Sequence, residues 1–254
     1  MFKQALTMLM VLLLTHSLAH AQSKDDRIYE MRTYWAEPGK LDAVNARFRD
    51  HTTKLFEKHG FTNVGYWTPM DNPEEKLIYI VSFPSLEAQK KAWAAFLADE
   101  EWKQVKAKTE ANGKIVKKIE SVNLVTTDYS PPIKPAAVGE RVFELRTYTT
   151  TPGNLDNLNA RFRNHTVKLF EKHGMTNIGY WVLAKGQKGD DNTMIYMLAH
   201  KSQEAAKASF SQFLKDPAWI AAREESEKKA GGSLTAKGGV QSLFLRATDY
   251  SPIR

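Results

Sequence analysis

The chain contains two copies of one sequence unit. Residues 27–67 and 141–181 align without a gap, and 28 of the 41 paired positions are identical. Shorter matches follow: LIYIVSF at 77–83 pairs with MIYMLAH at 194–200, and TDYSP occurs at both 127–131 and 248–252. A unit of about 115 residues is far longer than the roughly 20–50 residues of a solenoid repeat. We therefore predict a duplicated domain, whose copies can form within one chain the interface that other proteins form by dimerising.

The pattern within each copy predicts the element order β-α-β-β-α-β. In the first copy, alternating aromatic or β-branched and polar residues predict a strand at 28–34, and Pro-Gly at 38–39 ends it. An apolar stripe at helical spacing predicts one helix over 41–58, closed by His59-Gly60. Strands are predicted at 61–68, 76–83 and 115–126, with a second helical region beginning near Ser85. The second copy repeats this order, with its first helix from 155, its second helical region near Ser202 and its last strand over 239–248.

This order is the ferredoxin-like arrangement, an α+β unit that leaves one sheet face without helices. We expect the two units to press these bare faces together into one intrachain dimeric α+β barrel. The domains are then repeat 1 at 22–130 and repeat 2 at 140–254, joined by the proline-rich linker 131–139. Strand edges at the barrel rim predict that a homodimer of this pseudo-dimer can form.

The N-terminal segment has the features of a signal peptide. Lys3 precedes an almost wholly apolar run at 5–14, and Ala19-His20-Ala21 places small residues where a signal peptidase cuts, before Gln22. The apolar run is shorter than the about 20 residues of a membrane span, so no stable membrane insertion is expected. The sequence thus predicts a signal peptide at 1–21 and a secreted or periplasmic protein.

Composition excludes several classes of function. The chain has no cysteine, which rules out disulfides, thiol nucleophiles and thiolate metal sites. Its net charge of +7 is spread along the chain rather than gathered into runs, so nucleic-acid binding is not expected. Because HExxH, a phosphate-binding glycine loop and G-x-S-x-G are all missing, we predict no metal site, no resident cofactor and no hydrolase or nucleotide chemistry.

A set of motifs resembles the NIPSNAP family, and the resemblance covers both repeats. In repeat 1 the motifs are YEMRTY with Pro-Gly downstream, a helix ending in EKHG, the strand NVGYW, the strand LIYIVSF and a helical region with DEEW. The resemblance covers nearly the whole chain after the signal peptide. It implies a dimeric α+β barrel and distant kinship with antibiotic-biosynthesis-type monooxygenases and haem-handling barrels, but not one particular reaction. The better known members act in mitochondria or in signalling, a setting that an exported protein does not share.

The histidines are the first candidate site residues. His51 and His165 each lie four residues after an arginine, Arg47 and Arg161, so both side chains of a pair share a helix face. Either histidine could polarise an oxygen or ligate a haem at a cavity rim. The alternative, which we favour, is a half-buried imidazole hydrogen-bonded to the backbone or to a carboxylate. For the two histidines that end these helices we favour a structural role.

One histidine breaks the symmetry of the repeats. His200 in the third strand of repeat 2 stands where repeat 1 has Phe83, and Phe210 stands where repeat 1 has Trp93. His200 is therefore a third candidate for a proton carrier or ligand. If the two halves have diverged in function, we expect the divergence here.

The remaining candidates lie on strands. Arg32 and Arg146 are each two residues from a glutamate on the same strand face, either as anion clamps or, as we favour, as members of ion pairs. In Tyr66-Trp67 and Tyr180-Trp181 the strand places one aromatic on each sheet face. The inward ring can stack on a planar ligand or fill the core. Three further tryptophans at helical spacing are expected in the core: Trp93, Trp102 and Trp219.

Two hypotheses of function remain. The preferred one is a non-catalytic exported protein that binds a small apolar molecule or a protein partner through the barrel and its rim, and it predicts a filled barrel or a shallow groove. The other is a cofactor-independent oxygenase or a haem-binding enzyme that uses His51, His165 or His200. It predicts a closed apolar cavity with a polar triad.

Overall fold

The computed structural model describes residues 25–136 and 139–254. The strands are β1 Ile28–Ala36, β2 Thr62–Pro69, β3 Lys76–Phe83, β4 Val116–Thr126, β5 Val142–Thr150, β6 Thr176–Leu183, β7 Thr193–His200 and β8 Thr235–Ala247. The α-helices are α1 Leu41–Arg47, α2 Thr53–Lys58, α3 Leu86–Ala98, α4 Glu100–Thr109, α5 Leu155–Arg161, α6 Val167–Lys172, α7 Gln203–Lys215 and α8 Pro217–Ala230.

The strands form one closed antiparallel barrel in the order β1-β3-β2-β8-β5-β7-β6-β4. Each repeat contributes four neighbouring strands, and the two halves join where β2 pairs with β8 and β4 pairs with β6. Both junctions are short, with three residue pairs in each register. Trp67 pairs with Ala247 at one junction, and Thr126 pairs with Trp181 at the other. The predicted fold class, two ferredoxin-like repeats packed as an intrachain dimeric α+β barrel, is confirmed.

The barrel interior is packed with apolar side chains. Trp67 and Trp181 point inward and are fully buried, and each indole lies across a glycine two residues earlier, Gly65 or Gly179. A Cβ at Gly65 would come within 2.2 Å of the Trp67 ring. Tyr29 lies edge-on to Trp181 with ring centroids 6.0 Å apart. These large rings occupy the centre of the barrel, as in a core rather than a pore.

The outer faces carry the helices. In repeat 1 an aromatic cluster centres on Phe48, Phe56 and Tyr79, and its counterpart in repeat 2 centres on Phe162, Phe170 and Tyr196. The alternation within GYW holds as expected: the tyrosines Tyr66 and Tyr180 face the helices while the tryptophans face the interior. Each repeat therefore has its own helix-covered core, and the two share the barrel core.

The TDYSP segment of each repeat forms hydrogen bonds and an ion pair with the other repeat. Ser251, in repeat 2, accepts a hydrogen bond from the backbone N–H of Tyr66 at 2.9 Å, and Ser130, in repeat 1, accepts one from the N–H of Tyr180 at 3.1 Å. Arg49 forms a bidentate ion pair with Asp249 across the same boundary. The matching ion pair joins Arg163 to Asp128. The tyrosines of the motif add hydrogen bonds, since Tyr250 donates to Asn45 and Tyr129 donates to Asn159.

The first helix of each repeat is not the single α-helix that the sequence predicts. A π-helical turn separates α1 from α2 at Phe48–Thr52, and another separates α5 from α6 at Phe162–Thr166. The extra residue shifts the helical register, so that Thr52 is buried and its hydroxyl donates to the carbonyl of Arg47 at 3.1 Å. The apolar stripe therefore passes through the threonine, and the neighbouring histidine is displaced outward.

Other expectations need smaller corrections. The second helical region of repeat 1 is two helices, because Asp99 has extended backbone and its carboxylate caps α4. The helical spacing predicts that Trp93, Phe96 and Leu97 share one face, but Leu97 is 58% exposed and does not lie on the buried face. Strand β8 begins at Thr235, before the predicted start. The predicted signal peptide and residues 137–138 of the predicted linker lie outside the described residues. Within the described ranges, no helix is both long and apolar enough to span a membrane.

Candidate ligand-binding site

The site begins at a buried carboxylate on β1. Glu30 is 3% exposed and faces the helices, and three side chains donate to it. Arg32 donates from Nη1 at 2.8 Å, while Gln89 and Trp93 of α3 donate at 2.7 Å each. The Arg32 guanidinium also lies 4.2 Å from the centre of the Trp93 ring. The carboxylate thus holds both the arginine and the indole in fixed positions.

Repeat 2 holds the equivalent carboxylate differently. Glu144 accepts hydrogen bonds from Arg146, from Ser242 at 2.5 Å and from His200 at 3.0 Å. Burial tends to raise the pKa of Glu144, but the hydrogen bond from His200 and the charge of Arg146 outweigh it, so the pKa lies below its usual value. The imidazole replaces donors that α7 lacks, since Ala206 and Phe210 stand where α3 has Gln89 and Trp93.

A cleft of about 580 Å³ opens beside Arg32 in repeat 1, between the outer face of β1 and β4 and the surrounding helices. We call it the outer cleft. Six aromatic side chains line it: Tyr34, Phe48, Phe56, Trp93, Phe96 and Trp102. Leu97 and Ile119 also line it and are 58% and 43% exposed. The cleft lies wholly outside the barrel and within the volumes usual for small-molecule sites.

The outer cleft is also strongly cationic. Its lining includes one carboxylate, Glu110, and six basic side chains: Arg32, Arg47, Lys106, Lys114, Lys117 and Lys118. Arg47 is 4% exposed, pairs with Glu110 at 2.8 Å and lies 5.4 Å from the centre of the Trp102 ring. Its Nε is buried without a hydrogen-bond partner among the described residues. The cleft therefore combines flat aromatic walls with a positive lining.

The matching surface of repeat 2 differs in charge on its last strand. By position in the aligned helices, Lys106 of α4 becomes Arg223 in α8 and the charge is kept, whereas by strand pairing Lys118 of β4 becomes Gly239 in β8. A depression of about 120 Å³ beside Arg161 is lined by α5, the π-helical turn after it and α8, including His165, and shares only Arg161 with the counterparts of the outer cleft. The lysine-rich strand segment 114–118 thus belongs to repeat 1.

The predicted site residues fall into separate places. His51 is half-buried and His165 exposed, both on the π-helical turns outside the barrel. His200 is buried against Glu144, and its Nδ1 has no hydrogen-bond partner among the described residues. The helix-ending histidines His59 and His173 each contact an aspartate at 2.6 and 2.7 Å. The candidate histidines therefore do not converge on one cavity.

The arginine candidates are placed differently. Arg32 and Arg47 both line the outer cleft. Arg146 and Arg161 occupy the equivalent positions in repeat 2 and also have an unpartnered buried Nε. Sequence reasoning missed Gln89, Glu110 and the lysines of the cleft. The signal for the lysines was the difference between KIVKK at 114–118 and the glycine-containing LTAKGG at 234–239.

A second depression is less suited to a ligand of this kind. A depression of about 650 Å³ lies at the rim near Arg141 and Arg246. No aromatic side chain lines it, and its lining contains carboxylates as well as basic side chains. Within residues 25–136 and 139–254, no group of three histidines or acidic residues could hold a metal ion.

A family model described as NIPSNAP matches residues 29–131 and 143–252, one segment in each repeat. The chain belongs to the NIPSNAP family. A comparison with curated proteins finds no match. The family model matches both halves of this NIPSNAP chain, whereas Lys114, Lys117 and Lys118 of the outer cleft belong to repeat 1.

Several solved structures have a fold similar to most of this NIPSNAP protein. A proposed monooxygenase from Lactobacillus acidophilus is 11% identical with a TM-score of 0.54, covering 87% of this chain and 94% of its own. One from Fusobacterium nucleatum is 10% identical with a TM-score of 0.56, covering 87% and 92%. An anthrone oxidase-like protein is 17% identical with a TM-score of 0.55, covering 90% and 94%. At these identities the likeness concerns the fold.

Proposed function

We propose that this NIPSNAP protein binds a small molecule with an apolar body in the outer cleft of repeat 1, and that it does so without catalysis. The observation that carries the proposal is the cleft itself, a space of about 580 Å³ walled by six aromatic side chains. Aromatic walls with a few polar groups are typical of small-molecule sites. The site thus lies between helices and sheet rather than inside the barrel.

The exposed apolar residues at the cleft support the same location. Leu97 and Ile119 are among the few large apolar side chains that the described surface exposes, and both line the cleft. Their counterparts Leu214 and Val240 are equally exposed in repeat 2, at 54% and 45%. A ligand that extends over Leu97 and Ile119 would remove apolar surface from water and gain affinity.

The names of the structural relatives suggest oxidation as a second candidate. An oxidation in the barrel interior would need room that Trp67, Trp181 and Tyr29 occupy. An oxidation in the outer cleft would need a proton acceptor beside the substrate, and the one carboxylate of its lining, Glu110, already accepts a hydrogen bond from Arg47. The contacts therefore favour binding over oxidation.

Fluorescence titration with the neutral aromatic probe N-phenyl-1-naphthylamine tests the proposal. We expect one site per chain in the wild-type protein. The double variant Leu97→Ser, Ile119→Ser should weaken binding about tenfold, because two apolar contacts are lost. The matched variant Leu214→Ser, Val240→Ser should leave the affinity unchanged. Equal losses in both variants, or no binding at all, would refute the site, and oxygen consumption on addition of a planar phenol would refute the absence of catalysis.

A further inference from the structure

We infer that the ligand of the outer cleft is an organic anion, a small aromatic carboxylate whose charged group lies at the arginine side of the cleft. This inference rests on the proposed function and adds the chemical class of the ligand. Its basis is the excess of positive charge in the cleft lining, where six basic side chains accompany a single carboxylate. A buried or half-buried cationic cleft attracts anions more strongly than an open surface does.

The lysines of the cleft lack internal partners. Among the described residues, no carboxylate lies within 4.0 Å of the ammonium groups of Lys106, Lys114 or Lys117. Lys118 is different, since it pairs with Glu120 at 2.5 Å and lies over Trp35. Three unpaired cations around one cleft repel each other, and an anionic ligand would relieve that repulsion.

Arg47 supplies the inner part of the anion site. It is buried and fixed by Glu110 through Nη1, so its orientation costs little entropy on binding. Its Nε–H has no acceptor among the described residues, and a carboxylate can accept from Nε and a neighbouring nitrogen together. Arg161 in repeat 2 also has an unpartnered Nε, so this atom alone does not identify the site. The lysines beside Arg47 make the difference, because Gly239 stands in repeat 2 where repeat 1 has Lys118.

The aromatic walls select the body of the ligand. Arg32 already lies over the face of Trp93, and Arg47 lies near the face of Trp102. A flat ring can pack edge-on against these indoles while its carboxylate reaches the guanidinium groups. The ligand is therefore expected to be planar at one end and charged at the other.

Calorimetric titration with 2-naphthoate and with neutral 2-naphthalenemethanol tests the inference, because the two probes share a ring and differ in charge. We expect the anion to bind at least about tenfold more tightly. Raising the ionic strength from about 0.01 M to about 1 M should remove most of that difference, since it shortens the screening length about tenfold. The alcohol should show almost no dependence on salt.

Two pairs of variants locate the charge. Arg47→Gln should reduce naphthoate affinity about tenfold with little effect on the alcohol, while the matched Arg161→Gln should change neither. The exposed substitution Lys117→Gln avoids any risk to folding and should weaken naphthoate binding several-fold, against no change for Lys237→Gln on the matching strand.

The outcomes separate the inference from the proposed function. Equal affinity for the two probes, or equal effects of Arg47→Gln and Arg161→Gln, would overturn the anion inference. Retained binding of the alcohol would still leave the cleft as a site for apolar molecules. If neither probe binds to the folded wild-type protein, both statements are wrong.

Discussion

Nε2 of His200 lies 3.0 Å from Oε2 of Glu144, at a strand position where the other repeat has Phe83. The equivalent Glu30 receives its donors from helix α3 instead, through Gln89 and Trp93. The buried carboxylate at this position therefore receives its hydrogen bonds from helix α3 in repeat 1 and from strand β7 in repeat 2. The helix-side donors in repeat 1 fix Trp93 as a wall of the outer cleft, and repeat 2 has no such indole.

This relationship predicts a specific loss and rescue of stability. His200→Phe removes a donor from buried Glu144, so the free energy of unfolding should fall by about 1–3 kcal/mol. Adding Ala206→Gln and Phe210→Trp should restore part of it, because these residues supply the donors that repeat 1 uses. Urea unfolding measures both effects. A triple variant no more stable than His200→Phe would show that the two arrangements are not interchangeable.

The serines of the repeated TDYSP segment should contribute to stability across the boundary between the halves. Ser251→Ala leaves the backbone N–H of Tyr66 without its acceptor, and we expect a loss of about 1–3 kcal/mol in the free energy of unfolding. Ser130→Ala should cost a similar amount through Tyr180. The exposed Ser211→Ala is the control and should change stability by less than about 0.5 kcal/mol. Urea titrations in which Ser251→Ala matches the control would contradict the cross-repeat role.

The packed barrel interior should not accept a methyl group at Gly65. Gly65→Ala places a Cβ against the Trp67 indole, and we expect a destabilisation of about 1–3 kcal/mol. Trp67→Phe shortens the ring, so the double variant should be less destabilised than the sum of the single variants. Thermal unfolding of the four proteins completes the cycle. Strict additivity would mean that the interior relaxes around the methyl group and is looser than described.

Acid should remove the contribution of Asp99. Hydrogen bonds from Lys58 and His59 hold the pKa of the Asp99 carboxyl well below its usual range. The carboxyl of an unfolded chain titrates near about pH 3.9, so the stabilisation is complete above that pH and is lost as the pH falls toward the folded pKa. Asp99→Asn keeps a good helix cap but loses the charge.

The urea midpoint of Asp99→Asn should therefore lie below that of the wild type at neutral pH, and the difference should shrink below about pH 4. The exposed Asp71→Asn serves as the control and should leave the urea midpoint at neutral pH nearly unchanged. A gap between Asp99→Asn and the wild type that widens on acidification would reverse the expected sign.

The sequence was sufficient for the architecture because the duplication is visible by direct alignment and the alternation within strands is a local signal. The third strand of repeat 1 was predicted with the bounds it has, Lys76–Phe83. The opposite directions of Tyr66 and Trp67 followed from the period of two in a strand. Both features depend on neighbouring residues along the chain, and the folded structure does not alter them.

The site was harder to predict because it depends on contacts between distant residues. No local sequence pattern predicts the π-helical turn at Phe48–Thr52. This turn places Thr52 rather than His51 on the buried face of the helix. The partnership of Glu30 with Gln89 joins residues from β1 and α3 that only the fold brings together. The exchange of Phe83 for His200 was visible in the sequence, but its compensation for the missing helix donors was not.

A crystal structure of the protein soaked with 2-naphthoate tests the central claim most directly. We predict ring density between Trp93 and Trp102, with the carboxylate within hydrogen-bond distance of Arg47, and an unchanged barrel interior. Density for the ligand between Trp67 and Trp181, or beside His200 in repeat 2, would contradict the assignment of the site to the outer cleft of repeat 1.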